Sequence, residues 1–173
     1  MNPPRPPFIV STADLAERRH IYPQSQEQMA PNRAAGRVAG LQRIGINLQR
    51  LLPGTRSSWP HAESDEEEFV YVIEGEVQAW IDGELHAMRA GDLAAFPAGT
   101  GISHCFINNN SDRDALLLVG GEVAKASNRI LYPLNPSRRQ DLKAEEWWAD
   151  APARTLGTHD GLPDALRRDK PAD

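Results

Sequence analysis

Two histidines and a short acidic run carry the chemistry available to this sequence: His61 and Glu63 in Trp59-Pro60-His61-Ala62-Glu63, Glu68 closing Glu66-Glu67-Glu68, and His104 further on. Alternate side chains of an extended chain share a face, so Trp59, His61 and Glu63 point to one side, with the Cα atoms of His61 and Glu63 roughly 7 Å apart. Both side chains can then converge on one ion. Parity ties Glu68 to Val70 and Val72, so Glu68 faces inward if they do, and Glu67 then faces out. His104 shares a face with Phe106 opposite Cys105, which sets the thiol aside as a ligand. Two imidazoles plus a carboxylate on neighbouring strands form the facial arrangement used for non-haem iron, and also for zinc, manganese or nickel. Spacing does not choose among these divalent metals.

The strands that must position these residues are legible as short β-forming runs between turns. Ile44, Ile46 and Leu48 alternate with Gly45, Asn47 and Gln49, the period of a half-buried strand, and Pro53-Gly54 ends it. Further runs cover Glu68 to Ile73, Val77 to Ile81, Leu85 to Met88, Leu93 to Phe96, Ser103 to Ile107 and Ala115 to Val119, with Asp82-Gly83 as a two-residue hairpin turn. No helical pattern intervenes, which predicts an antiparallel sandwich or barrel. Trp80 is expected to point out of it, against the N-terminal arm or another subunit. Asn108 and the Gly99 and Gly101 pair read as turn chemistry.

Outside these runs the regularity fades. Residues 1–40 read as an arm in which Ser11 or Thr12 caps a short helix, residues 41–121 as the barrel core, and residues 122–173 as a wrapping tail. Within the tail a short capped helix is expected over residues 141–150, and disorder over residues 167–173. Trp147 and Trp148 serve either to anchor this tail or to close a pocket as a lid.

A chain of 173 residues suffices for one domain with a hydrophobic core and not for two ordinary ones. Its charge of −5 is spread over interspersed acidic and basic residues, leaving no basic stripe for a phosphate backbone, so nucleic acid is not expected as a partner. No apolar run approaches the roughly 18 residues that cross a bilayer, and the first residues lack the pattern of a secretory signal. No membrane partner and a cytoplasmic location follow as expectations. Cys105, alone, cannot form an internal disulfide, in keeping with a reducing compartment.

The two blocks that hold the candidate ligands resemble the paired motifs of the cupin superfamily. Glu68, six residues, Gly75 matches the end of the first motif; Gly91, five residues, Pro97-Ala98-Gly99 matches the start of the second, and His104, three residues, Asn108 closes it. The sequence departs from the pattern in three places. Gly54 precedes His61 by one residue more, Glu63 stands where a second histidine is usual, and four residues instead of two separate Gly99 from His104. The chain is also similar to small bacterial members with a Gly-Thr-Gly segment before that histidine. The resemblance implies an all-β, double-stranded β-helix or jelly-roll barrel, commonly a homodimer, with a small-molecule pocket and a divalent metal held by His61, Glu68 and His104.

Glu63 has open alternatives: a fourth metal ligand, an acceptor that orients His61, or, if unbound, a general base. The resemblance accommodates a metal-dependent enzyme of dioxygenase, decarboxylase, isomerase or cyclase type. A non-catalytic module that binds or senses a small ligand is the alternative, and a metal-free structural barrel a third.

Overall fold

Alternating side chains bury one face of each β-forming run, and in the computed structural model, which describes residues 4–123 and 125–167, the runs pair into two facing antiparallel sheets. The strands are β1 (Asn32–Arg33), β2 (Ile44–Leu51), β3 (Thr55–Arg56), β4 (Ala62–Glu63), β5 (Glu68–Glu74), β6 (Glu76–Ile81), β7 (Glu84–Arg89), β8 (Leu93–Phe96), β9 (His104–Asn108), β10 (Ala115–Glu122) and β11 (Ile130–Leu131). One sheet runs β1-β2-β10-β5-β8, the other β3-β9-β6-β7, and β11-β4 forms a small third ladder. Two short helices, α1 (Ala35–Val38) and α2 (Asp164–Arg167), flank this jelly-roll barrel.

The core lies between the sheets. Val70 and Val72 of β5, Ala115 and Leu117 of β10 and Leu51 of β2 meet Val77 and Ala79 of β6, Met88 of β7 and Phe106 of β9. Each large apolar side chain buried there stabilises the fold by about 1.5–3 kcal/mol. Asp82 and Gly83 both take positive φ, 45° and 90°, the geometry of the tight turn that joins β6 to β7.

Strand β2 forms as its alternation predicts, with the apolar set outward. Gln49 lies opposite Leu117, which is fully buried, so Asn47 and Gln49 face into the barrel while Ile44 is 52% exposed. An interior lined partly by amides, and not by oil alone, is the first sign of a polar cavity.

Both ends of the chain fold onto the barrel with less helix than expected. The turn after Ser11 is a single 3-10 turn at Thr12–Asp14, because Arg18 is drawn into a bridge with Asn32. Over residues 141–150 only Ala144–Glu146 is helical, with the Lys143 N–H donating to Glu146 Oε2 at 2.9 Å. The chain then leaves the helix because the Trp148 N–H donates to the Ile130 carbonyl and Trp147 packs against the cluster that holds Tyr22, Trp59 and Tyr132, so the tryptophans anchor the tail. Trp80 does point out of the barrel, but the C-terminal tail covers it: its Nε1 donates to the His159 carbonyl at 2.8 Å. Residues 168–173, where disorder is expected, lie outside the described residues.

Candidate metal centre

His61 and His104 are brought together by the backbone. The His61 N–H donates to the His104 carbonyl at 3.2 Å and the His104 N–H returns a bond of 2.9 Å, an antiparallel pair that puts both rings on one face with centroids 5.0 Å apart. Glu68 enters from the other sheet, at the first position of β5, opposite Phe96 of β8. Phe96 in turn stacks on the His104 ring at 3.5 Å and 7°, which fixes the ring's plane.

Ligand atoms of His61, Glu68 and His104 lie within 4.8 Å of one another, and these three form the one such group among the described residues. Glu68 Oε2 is 3.5 Å from His61 Nε2 and 3.3 Å from His104 Nε2. Ligands held about 2.0–2.2 Å from one ion at roughly right-angled to tetrahedral geometry stand about 3.0–3.5 Å apart, so the donor set fits a divalent cation. Glu68 Oε2 is also buried without a hydrogen-bond partner, as is His104 Nδ1. In the metal-free protein the protonated His61 ring is the charge that meets this oxygen, and a bound cation would take its place.

The second nitrogen of His61 completes a familiar support. Nδ1 lies 2.8 Å from the Trp59 carbonyl, which can only accept, so the proton sits on Nδ1 and Nε2 faces the cluster. Trp59 itself belongs to an aromatic cluster under the arm, stacked on Tyr22 at 4.1 Å and 8°, while Tyr132 reaches the His61 ring at 5.9 Å. Glu63 stands outside the three-residue group. Its Oε1 is 4.0 Å from His61 Nε2 and its Oε2 accepts from Asn128 Nδ2.

The charges are strongly coupled. Burial works against a proton on His61, but the Glu68 carboxylate and then Glu63 outweigh it and hold the imidazole up at about 9. Burial likewise opposes charge on Glu68, yet His104 and His61 keep its carboxyl well below the usual range. For His104, burial dominates and lowers the pKa. Burial pushes Glu63 up to about 7 against the pull of His61 and Asn128. Cys105 lies on the opposite face of β9, fully buried beside Trp80, with burial raising its thiol to about 12.

A cavity of about 140 Å³ opens on the cluster, walled by Val70, Phe106 and Val119 and by the polar Gln49, Ser57 and Ser58. A larger groove of about 510 Å³ along Glu76–Gln78 and Ala87–Arg89 contains none of the three cluster residues. Sequence reasoning missed Gln49, Ser57, Phe96, Tyr132 and Asn128. Only Gln49 left a signal, as a polar position repeating at period two. Asn108 is fully buried and structural: its Nδ2 donates to the carbonyls of Leu51 and Arg113.

Comparison with known proteins agrees with this architecture. The family model described as Cupin domain matches residues 47–120. A solved structure from Silicibacter pomeroyi DSS-3, described as a sugar phosphate isomerase from a cupin superfamily, is 31% identical over 72% of this chain and 80% of its own, with a TM-score of 0.64. A structure from Acidithiobacillus ferrooxidans aligns at 22% identity over 73% of this chain and 81% of its own, with a TM-score of 0.66. The polyketide cyclase of Streptomyces resistomycificus aligns at 18% identity over 80% and 94%, with a TM-score of 0.60. The last two speak to fold alone. No functionally curated protein matches the chain.

Proposed function

This chain belongs to the cupin superfamily, and we propose that it is a metal-dependent enzyme that moves a proton on a small, uncharged, hydroxyl-bearing carbonyl compound. The observation that carries this reading is the convergence of His61, Glu68 and His104 on one cavity, with a second carboxylate, Glu63, reaching His61 from a small adjoining pocket that Glu68 and His104 also line. His61 Nε2, His104 Nε2 and Glu68 Oε2 are the atoms that would hold the ion. Bound there, a divalent cation would supply Lewis acidity to a substrate oxygen. Glu63, whose Oε1 is turned toward His61 while Asn128 holds its Oε2, takes and returns the proton.

The relative from S. pomeroyi, described as a sugar phosphate isomerase, supports isomerase-type proton transfer over oxidative chemistry. A phosphate on the substrate has less support in this chain. Among the described residues, neither lysine nor arginine lines the cavity, and Arg56, next to Ser57, is taken up by Glu27 and the Gly161 carbonyl. Gln49, Ser57 and Ser58 instead offer neutral donors and acceptors suited to hydroxyl groups.

The test is deuterium exchange. Neutral aldoses and hydroxy ketones incubated with metal-loaded protein in D2O are expected to gain deuterium beside the carbonyl, as read by NMR. Glu63→Gln should slow this by about 10²–10⁴-fold while metal content stays the same. Exchange confined to phosphorylated sugars contradicts the substrate class, and no exchange with either contradicts the isomerase reading.

The reading extends to a homodimer. The outer face of the five-stranded sheet exposes Ile44, Tyr71, Ile73 and Leu93, an apolar surface of the kind that pairs with a second copy. Light scattering is expected to return twice the chain mass.

A further inference from the structure

Glu63 is held in place by the C-terminal part of the chain. Asn128 Nδ2 donates to Glu63 Oε2, and the amide is not free to turn over. Its Oδ1 already accepts from the Asp65 N–H at 3.0 Å and from Ser64 Oγ at 3.4 Å. The backbone behind it is equally fixed. Ile130 pairs with Glu63 in the β11-β4 ladder, the Ser64 N–H donates to the Arg129 carbonyl at 2.9 Å, and the Arg129 N–H donates to Ser64 Oγ at 2.7 Å. On the other side, the Gly99 N–H donates to the Glu63 carbonyl at 3.1 Å.

With Oε2 engaged, Glu63 meets the cluster through Oε1 alone. That atom is 4.0 Å from His61 Nε2, whereas Glu68 Oε2 is 3.5 Å from the same nitrogen. Oε1 does not stand with the ligand atoms of His61, Glu68 and His104, so to join them the carboxylate has to move inward, and its bond to Asn128 opposes that shift. We propose that Asn128 is a positioning residue that keeps Glu63 beside the metal centre and out of its coordination, so that the carboxylate stays available for proton transfer. This rests on the reading of His61, Glu68 and His104 as metal ligands. Without the amide, Glu63 turns inward and becomes a fourth protein ligand.

Cobalt(II) titrated into metal-free protein and followed by its visible absorption tests the assignment without any substrate. Asn128→Ala is expected to bind about tenfold more tightly than the parent, with an altered spectrum, the reverse of the roughly 10–100-fold loss that removing a supporting hydrogen bond ordinarily brings. Adding Glu63→Gln to that variant should return the affinity to the parent's value. A purely structural role for Asn128 would instead loosen the segment and weaken binding. Equal or weaker binding by Asn128→Ala, or a loss of affinity in the single Glu63→Gln variant, overturns the proposal. If the parent takes up no cobalt, the metal reading itself fails, and the proposal falls with it.

Discussion

The Nδ1 proton of His61 is held by the carbonyl oxygen of Trp59, 2.8 Å away, and the ring's other nitrogen is thereby turned toward Glu68 and Glu63. Without a metal, that nitrogen faces two carboxylates and keeps a proton, with a pKa of about 9. A cation must displace this proton to bind. Metal affinity is therefore expected to rise with pH, by about tenfold per unit for one proton released, and to level off above about 9. In metal-free protein the same group works the other way. The folded pKa lies above the unfolded value of about 6.5, so its stabilisation is present below that pH and is lost as pH rises through about 9. Metal titrations and thermal melts across this window check both signs.

Arg56 ties three parts of the chain together. Its guanidinium, 3% exposed, bonds both Glu27 oxygens at 2.7 and 2.6 Å and the Gly161 carbonyl at 2.7 Å, while Glu27 also accepts from Trp59 Nε1 at 3.2 Å. Arg56→Ala leaves a carboxylate without its partner under the arm. A loss of about 3–5 kcal/mol is expected in urea unfolding.

Gly83 is where the tail lands on the hairpin. A Cβ there would sit 2.4 Å from the Gly157 nitrogen, backbone that cannot yield, and φ is already +90°. The Gly157 N–H donates to the Asp82 carbonyl at 2.7 Å and the His159 N–H to the Gly83 carbonyl at 3.1 Å. Gly83→Ala should detach this contact at about 1–3 kcal/mol, seen as faster proteolysis of the tail and a more exposed Trp80.

The barrel strands were legible because period two and turn residues are local signals. Asp82-Gly83 specifies its hairpin by itself, and Val70 and Val72 carry Glu68 inward with them. The inward direction of β2 was less accessible. Alternation tells that Ile46 and Gln49 face opposite ways, and only pairing with Leu117 decides that the amide is inside. The convergence of His61, Glu68 and His104 was legible because strand parity and motif spacing together indicate which strand ends meet. Asn128 and Tyr132 come from a tail without periodicity, and their approach to Glu63 and His61 depends on the β11-β4 ladder, a two-residue pairing with no sequence signature. The expected tail helix failed for a related reason: packing Trp147 against the aromatic cluster and burying Trp148 outweighs local helix preference.

Elemental analysis of protein purified without chelator or added metal tests the central claim most directly. The parent is expected to carry close to one divalent ion per chain, and His104→Ala, still folded by its melting transition, to carry none. A parent free of metal that also binds none on dialysis against zinc, iron, manganese or nickel, or a His104→Ala variant with undiminished metal, would contradict it.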